Sequence, residues 1–201
     1  MKIGLYFGTF NPIHIGHLII ANHLAEHSDL DEVWMVVTPH NPLKKKNTLL
    51  ADHHRLEMVH LAVAEYPNLK PCDIEFKLTQ PNYTVITLAH LKEKYPKYDF
   101  CLLMGQDNLH TFHKWKNYEA ILENYELYVY PRIHQENLSS EFDQHPKVKH
   151  IEAPIIELSS TFIREQIKLK KNIKPMLPSV VWQYIDHNNL YKNNGSTQRT
   201  R

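Results

Sequence analysis

The chain has 201 residues, and its 23 basic residues against 22 acidic ones leave a formal net charge of +1 at pH 7. This length fits one domain, residues 1–192, which buries a core without disulfides or metals, and the polar tail 193–201 is predicted to be disordered. The balanced charge argues against a protein that binds nucleic acid polymers, and no apolar run approaches the roughly twenty residues that cross a bilayer.

The cysteine and histidine patterns predict a cytoplasmic protein that holds no metal of its own. Cys72 and Cys101 are the only cysteines, they form no C-x-x-C, and no charged-then-apolar leader comes before the first apolar run. Some of the 15 histidines form pairs at helical spacing. None of these pairs has the further Cys, Asp or Glu ligands that a zinc site needs.

Six short apolar runs alternate with helical patterns along the chain. The runs, which we predict to be strands, cover residues 3–7, 33–37, 72–76, 100–104, 125–130 and 148–151. Continuous apolar runs are typical of parallel strands that are covered on both faces, and alternation with helices favours right-handed crossovers. We therefore predict a Rossmann-like single α/β domain with a mostly parallel sheet flanked by helices. Ligands of such sheets bind at the carboxyl ends of the strands.

A phosphate site is predicted where the first strand ends. Gly8 to His17 read G-T-F-N-P-I-H-I-G-H, and a helix follows. His14 and His17 are three residues apart, so both imidazoles face one side, with Gly16 between them. Unpaired N–H groups at a helix start suit an anion, and imidazoles donate to phosphate oxygens. Two exposed histidines in a loop are the alternative.

This pattern, directly after a strand, resembles the signature of the H-x-G-H nucleotidyltransferase superfamily. The resemblance implies a sheet of the nucleotidylyltransferase type and a nucleotidyl transfer reaction. It also implies that ATP is bound by Gly8, Thr9, Phe10, His14, Gly16 and His17. The superfamily includes phosphopantetheine and glycerol-phosphate nucleotidyltransferases, so the motif indicates the reaction class better than the substrate.

A lysine-rich stretch follows the second strand. Its N-P-x-K pattern resembles that of nicotinate mononucleotide adenylyltransferases, which implies that Lys44 contacts both substrates. Many relatives carry a histidine directly before this lysine, where the chain has Leu43, and the role of His40 stays open. A solvated loop is the alternative for any single lysine.

The helix that follows is predicted to begin with Asp52 as its N-cap. Its apolar face is assigned to Leu56, Val59, Leu61 and Val63. Arg55 and Glu57 are assigned to its solvated side.

Tyr83 and Thr84 open the next predicted helix. From the residues alone, Thr84 is a capping residue. The stretch from Asn82 to Leu88 resembles the Y-T-x-x-T-L segment of the same adenylyltransferases, which implies that Tyr83 and Thr84 read the pyridine carboxylate. Free N–H groups at a helix start favour a carboxylate over a neutral amide.

A G-x-D-N pattern follows the 100–104 run, with Phe112 and Trp115 after it. Asp107 suits either a helix cap or ribose hydroxyls. The resemblance implies that Gly105 and Asp107 bind the nucleotides, with Asp107 on ribose, and that Trp115 stacks on the pyridine ring. It also places Arg132, otherwise a solvated arginine, against the mononucleotide's phosphate.

The sequence S-S-T-F-I-R at 159–164 opens a helix. With Ser159 as N-cap, Phe162 occupies the position where a capping box needs Glu or Gln. Arg164 in the first turn opposes the helix dipole by up to about 1 kcal/mol, and a bound anion removes that conflict. The stretch resembles the S-S-T-x-I-R motif, which implies that Ser159, Ser160, Thr161 and Arg164 hold the β and γ phosphates of ATP. An ordinary capped helix with an exposed arginine is the alternative.

Together these resemblances imply a nicotinate-nucleotide adenylyltransferase, which makes deamido-NAD and pyrophosphate from ATP, brought in with Mg²⁺, and nicotinate mononucleotide. The catalytic residues would be His14, His17 and Arg164. The mononucleotide would be bound by Asn11, Lys44, Tyr83, Thr84, Asp107, Trp115 and Arg132. Two alternatives stay open: transfer to nicotinamide mononucleotide or phosphopantetheine, and a sensor that binds NAD or ATP without turnover. No nucleic acid polymer or membrane is an expected partner, and a homo-oligomer is left open.

Overall fold

The computed structural model describes residues 1–39, 49–132 and 139–192. The strands in this part of the chain are β1 Lys2–Gly8, β2 Glu32–Val37, β3 Leu69–Cys72, β4 Asp99–Gly105, β5 Glu126–Tyr130 and β6 Val148–His150. The α-helices are α1 Ile15–His27, α2 Asp52–Val63, α3 Thr84–Lys94, α4 Gln106–His110, α5 Tyr118–Asn124, α6 Ser160–Lys168 and α7 Ser179–His187. Short 3-10 turns cover Ile74–Lys77, Phe112–Lys114 and Lys174–Met176.

All six strands are parallel and form one sheet in the order β3-β2-β1-β4-β5-β6. Apolar side chains from α1, α2, α6 and α7 make a core on one face, and those from α3, α4 and α5 make a second core on the other. The predicted Rossmann-like fold is therefore confirmed. The strand order reverses between β1 and β4, and the crevice at such a reversal is the usual ligand site of an open parallel sheet.

The third strand lies earlier than predicted. We assigned it to 72–76, but β3 ends at Cys72 and Ile74–Lys77 form a 3-10 turn. The predicted alternation comes from the apolar Cys72, Ile74 and Phe76 between acidic residues, but the neighbours Ile74 and Glu75 are both buried, as a turn allows and a half-exposed strand does not. The true strand contains Pro71 and lies at the edge of the sheet, where a residue without an N–H group is tolerated.

The start of α2 also differs from prediction. Ala51 is the N-cap, and Asp52 is the first helical residue, whose carboxylate pairs with Arg55. The buried face consists of Arg55, Met58, Val59, Ala62 and Val63. Arg55 is therefore part of the core side of α2, and its assignment to the solvated side is wrong, whereas Glu57 is exposed.

Among the described residues, no helix combines the length and the hydropathy that crossing a membrane requires.

Candidate active site

A cavity of about 680 Å³ opens where β1 and β4 end, within the size range of small-ligand sites. Of the residues that we assigned to a site, those lining the cavity are Gly8, Thr9, Phe10, Asn11, His14, Gly16, His17, Tyr83, Thr84, Asp107, Trp115, Arg132, Ser159, Ser160, Thr161 and Arg164. Gly105 is not among the lining residues, and Lys44 and His40 fall outside the residues that the structure describes.

The loop after β1 is shaped by Phe10. This residue has a φ of 44° and is 2% exposed, so an aromatic residue holds a left-handed conformation that costs energy and is often found at functional sites. Its ring lies against Gly8, where an added Cβ would approach Phe10 Cζ to 2.8 Å. Gly8 is thus required by the packing of Phe10.

His14 and His17 stack, with ring centroids 3.7 Å apart and planes at 23°. The main-chain N–H of His14 donates to His17 Nδ1 at 3.2 Å. Since Nδ1 accepts this bond, a neutral His17 carries its proton on Nε2, where it is a donor. The prediction that both imidazoles face one volume is confirmed by their stacking and by their shared cavity.

His14 is neutral near pH 7. Its side chain is 4% exposed, and burial, together with the charge of Arg132, lowers its pKa to about 4. The ring leaves no room beside it, because a Cβ at Gly16 would lie 3.1 Å from His14 Nδ1 and 3.1 Å from Ile156 Cγ2. Gly16 therefore lets the His14 ring lie flat against the start of α1.

Two segments from opposite ends of the chain meet at this loop. Arg164 Nη1 donates to the carbonyl of Asn11 at 2.9 Å, and Ser160 Oγ donates to the carbonyl of Pro12 at 2.9 Å. The partners are 153 and 148 positions apart. Ser159 is the N-cap of α6, as predicted, and accepts from the Phe162 N–H. The arginine is thus directed toward the loop after β1 and shares the cavity with both histidines.

Asp107 and Arg132 lie side by side at the end of β4. Asp107 Oδ1 is 3.5 Å from Arg132 Nε, an ion-pair distance, and no hydrogen bond reaches this buried oxygen from the described residues. A Cβ at Gly105 would come within 2.5 Å of the same oxygen and 2.7 Å of Arg132 Nε. Gly105 therefore makes room for the pair. Because Gly105 is the N-cap of α4, Asp107 is not the cap, and its carboxylate is available to hydroxyl donors.

Aromatic side chains line the part of the cavity near the start of α3. Tyr83 is the N-cap residue of α3, so Thr84 is the first helical residue and its alternative role as a cap is wrong. Trp115 packs against the buried Phe112, with centroids 5.4 Å apart. The ammonium of Lys116 lies over the Tyr83 ring, 4.3 Å from its centroid. Lys116 lies outside the sequence motifs described for this site.

Sequence reasoning also missed the role of Arg55. The side chain is fully buried and donates to the carbonyls of Thr9 at 2.7 Å, Thr38 at 2.7 Å, Pro39 at 3.0 Å and Leu50 at 3.0 Å. It therefore ties the loop after β1 to the end of β2 and to the start of α2. The sequence does indicate this burial, since residues 55, 58, 59, 62 and 63 have the spacing of one face of a helix.

Asn11 is held from the C-terminal side. Its Oδ1 accepts from the Tyr191 hydroxyl at 2.9 Å and from the Leu50 N–H at 3.3 Å. The same residue gives its main-chain carbonyl to Arg164. Asn11 therefore connects the segment that follows α7 to Arg164 in the cavity.

Glu75 is a further lining residue that the motifs did not mark. It is 2% exposed, its Oε1 accepts from Thr87 Oγ1 at 2.7 Å, and its carbonyl accepts from Asn82 Nδ2 at 2.7 Å. Burial raises the pKa of this carboxyl. Glu75 thus fixes the start of α3 against the cavity wall.

The model of the cytidylyltransferase-like family matches residues 5–166. Two similar curated proteins are called probable nicotinate-nucleotide adenylyltransferases: one from Flavobacterium psychrophilum, 69% identical, and one from Flavobacterium johnsoniae, 68% identical. Each alignment covers 96% of this chain and 100% of the relative. Among solved structures, Plasmodium falciparum nicotinic acid mononucleotide adenylyltransferase complexed with NaAD superposes with a TM-score of 0.78 at 21% identity. This superposition covers 94% of this chain and 97% of the other, and it supports the fold.

Proposed function

Because the chain belongs to the cytidylyltransferase-like family and, within it, to the nicotinate-nucleotide adenylyltransferases, we propose that it transfers the adenylyl group of ATP to nicotinate mononucleotide. The products are deamido-NAD and pyrophosphate. This proposal is carried by the contact between two segments that are far apart in sequence. Arg164 and Ser160 donate hydrogen bonds to the loop that leads into His14 and His17. That arrangement gathers hydrogen-bond donors and positive charge around one volume.

In this reaction the phosphate oxygen of the mononucleotide attacks the α-phosphorus of ATP, and the bond from that phosphorus to the oxygen bridging to the β-phosphate breaks. The attacking oxygen is already ionised, so the step needs no general base and no covalent intermediate. His17, through Nε2–H, and the neutral His14 donate to the α-phosphate as charge builds up on it. Arg164 binds the departing pyrophosphate.

The opposite wall holds the acceptor in line. Asp107 accepts from ribose hydroxyls, Trp115 stacks on the pyridine ring, and Tyr83 and Thr84 contact its carboxylate. Arg132, beside Asp107, binds the mononucleotide's phosphate, and Lys44 remains a predicted contact to both substrates. The described residues contain no group of three or more His, Cys, Asp or Glu side chains that could hold a metal. Mg²⁺ is therefore treated as part of the substrate, bound to the phosphates of ATP.

The function is tested by measuring pyrophosphate release with three acceptors at equal concentration. We expect nicotinate mononucleotide to give the highest kcat/KM, above nicotinamide mononucleotide and phosphopantetheine, with deamido-NAD as the product identified by mass. A higher kcat/KM with either of the other two acceptors would reassign the substrate. Tight NAD binding with no pyrophosphate from any acceptor would mark the protein as a sensor.

A further inference from the structure

A turn on the acceptor side of the cavity places a lysine against the segment that opens α3. Lys116 Nζ lies 4.3 Å from the centroid of the Tyr83 ring, well within the range of a cation–π contact. Lys116, Trp115, Tyr83 and Thr84 all line the same cavity. The ring–cation contact thus brings the Trp115–Lys116 turn and the Tyr83–Thr84 segment together, although they lie on different elements.

The position of Lys116 is fixed by the residues on both sides of it. Phe112 is fully buried and packs on Trp115 at 5.4 Å and on Tyr118 at 5.8 Å. The Tyr118 N–H donates to the Trp115 carbonyl at 3.3 Å, and Asn117 has a φ of 51°. The main chain therefore turns sharply between two anchored rings, and the lysine stem leaves from the middle of that turn.

The charges around the start of α3 favour an anion. Glu75 is buried, its carboxyl accepts from Thr87 Oγ1, its main-chain carbonyl accepts from Asn82 Nδ2, and burial raises the pKa of the carboxyl. The other lining carboxylate, Asp107, lies 3.5 Å from Arg132. Lys116 is exposed toward solvent, and its ammonium lies at the face of the Tyr83 ring.

We propose that Lys116 makes the site prefer an acceptor whose pyridine ring carries a carboxylate over one whose ring carries an amide. This inference rests on the proposed function. The two acceptors have nearly the same shape, but only the carboxylate gains Coulomb energy from the ammonium. Because Lys116 is exposed, water and salt weaken the attraction, and exposed ion pairs change an equilibrium by less than about tenfold.

The test is the ratio of kcat/KM for nicotinate mononucleotide to that for nicotinamide mononucleotide. In Lys116→Met we expect this ratio to fall about three- to tenfold, mainly through a higher KM for the acid. Lys116→Arg keeps the charge and the stacking on Tyr83, and it should keep the ratio within about twofold of the parent. The parent ratio should also fall as salt rises, and this dependence should be weaker in Lys116→Met.

Lys114→Met is the matched control, because Lys114 lines the same cavity two residues earlier. We expect it to change the ratio less than about twofold, since Lys116 and not Lys114 is the lysine that lies over the Tyr83 ring, and other exposed charges are largely screened. An unchanged ratio in Lys116→Met, or equal losses in both lysine variants, would overturn the inference while the parent still made deamido-NAD. A parent enzyme that released no pyrophosphate with either acceptor would instead refute the proposed function, so the two failures are distinguishable.

Discussion

The cavity has two ends that are built by different contacts. We name them for the groups that we propose to bind there: the phosphate end, formed by Asn11, His14, His17, Ser160 and Arg164, and the pyridine end, formed by Tyr83, Thr84, Trp115 and Lys116. At the phosphate end, Arg164 and Ser160 donate to main-chain carbonyls, and His17, which also stacks on His14, accepts from a main-chain N–H. At the pyridine end, side chains rest on rings, as Trp115 does on Phe112.

Hydrogen bonds to the main chain fix both distance and direction, whereas ring contacts tolerate small shifts. Donors around a reacting phosphate must be correctly aimed before the transition state forms, because preorganisation is the source of their effect. The comparison therefore implies that substitutions at the phosphate end change mainly turnover. Substitutions at the pyridine end should change mainly the choice and affinity of the acceptor.

The largest effect on turnover is expected for His17→Ala. Removal of one donor from a site of developing charge lowers kcat by about 10²–10³, and we expect this loss with ATP affinity changed less than about threefold. Steady-state turnover and calorimetric ATP binding measure the two quantities. Equal losses in turnover and in ATP binding would place His17 in ground-state binding and would break the contrast between the two ends.

Arg55→Met tests whether the phosphate end depends on its buried support. The substitution leaves the carbonyls of Thr9, Thr38 and Pro39 without their charged donor. We expect the free energy of unfolding to fall by about 3–5 kcal/mol, because each buried acceptor left without a donor costs about 1–3 kcal/mol. Denaturant unfolding measures the change.

The control for that variant is Glu57→Gln on the exposed face of the same helix. It should change the free energy of unfolding by less than about 0.5 kcal/mol. A loss below about 1 kcal/mol in Arg55→Met would show that the bonds from Arg55 do not support the loop after β1.

A pH dependence follows from the burial of His14. Its pKa is lowered from 6.5 to about 4, so the unfolded chain binds this proton first as the pH falls. The stability contributed by the neutral ring is fully present above about pH 6.5 and is lost between pH 6.5 and 4, by up to about 3 kcal/mol. NMR titration of the His14 ring should give a midpoint near 4. A midpoint at or above the ordinary 6.5 would show that burial does not hold the ring neutral.

Tyr191→Phe should have the smallest effect. It removes the hydroxyl that donates to Asn11 Oδ1, which should cost about 1 kcal/mol of stability and lower kcat modestly, since Asn11 also holds Arg164. Tyr184→Phe is a matched control, because its hydroxyl bonds His54 on α2, away from the cavity. We expect a similar loss of stability in both variants, and a loss of turnover in Tyr191→Phe alone. Equal turnover in the two variants would show that the Tyr191 hydroxyl does not support the phosphate end.

The two ends also differ in what the sequence reveals. Most residues of the phosphate end belong to two compact motifs, 8–17 and 159–164, so their sequence alone predicts that they share a site. Hydrophobic runs likewise located five of the six strands, whereas the predicted run 72–76 shares only Cys72 with the third strand, because the chain enters a 3-10 turn directly afterwards. Local patterns suffice for these features because neighbours in sequence produce them.

Features that depend on contacts distant in sequence were not predictable. Arg55 was assigned to solvent because its charge outweighed its place in the helical stripe, and its acceptors lie on three other segments. Lys116 and Tyr191 belong to no motif, and only the fold brings them to Tyr83 and Asn11. Such partners are set by the way the sheet and helices pack, which no local spacing encodes.

The proposed reaction requires His17 and Arg164 to act on one triphosphate. The most direct measurement is a crystal structure of the protein with a non-hydrolysable ATP analogue, in which the phosphate positions are read relative to both side chains. We expect the α-phosphate within hydrogen-bond distance of His17 Nε2 and the β or γ phosphate within that distance of Arg164, about 2.7–3.2 Å in each case. A triphosphate that contacts only one of these residues, or lies outside the cavity, would contradict the account.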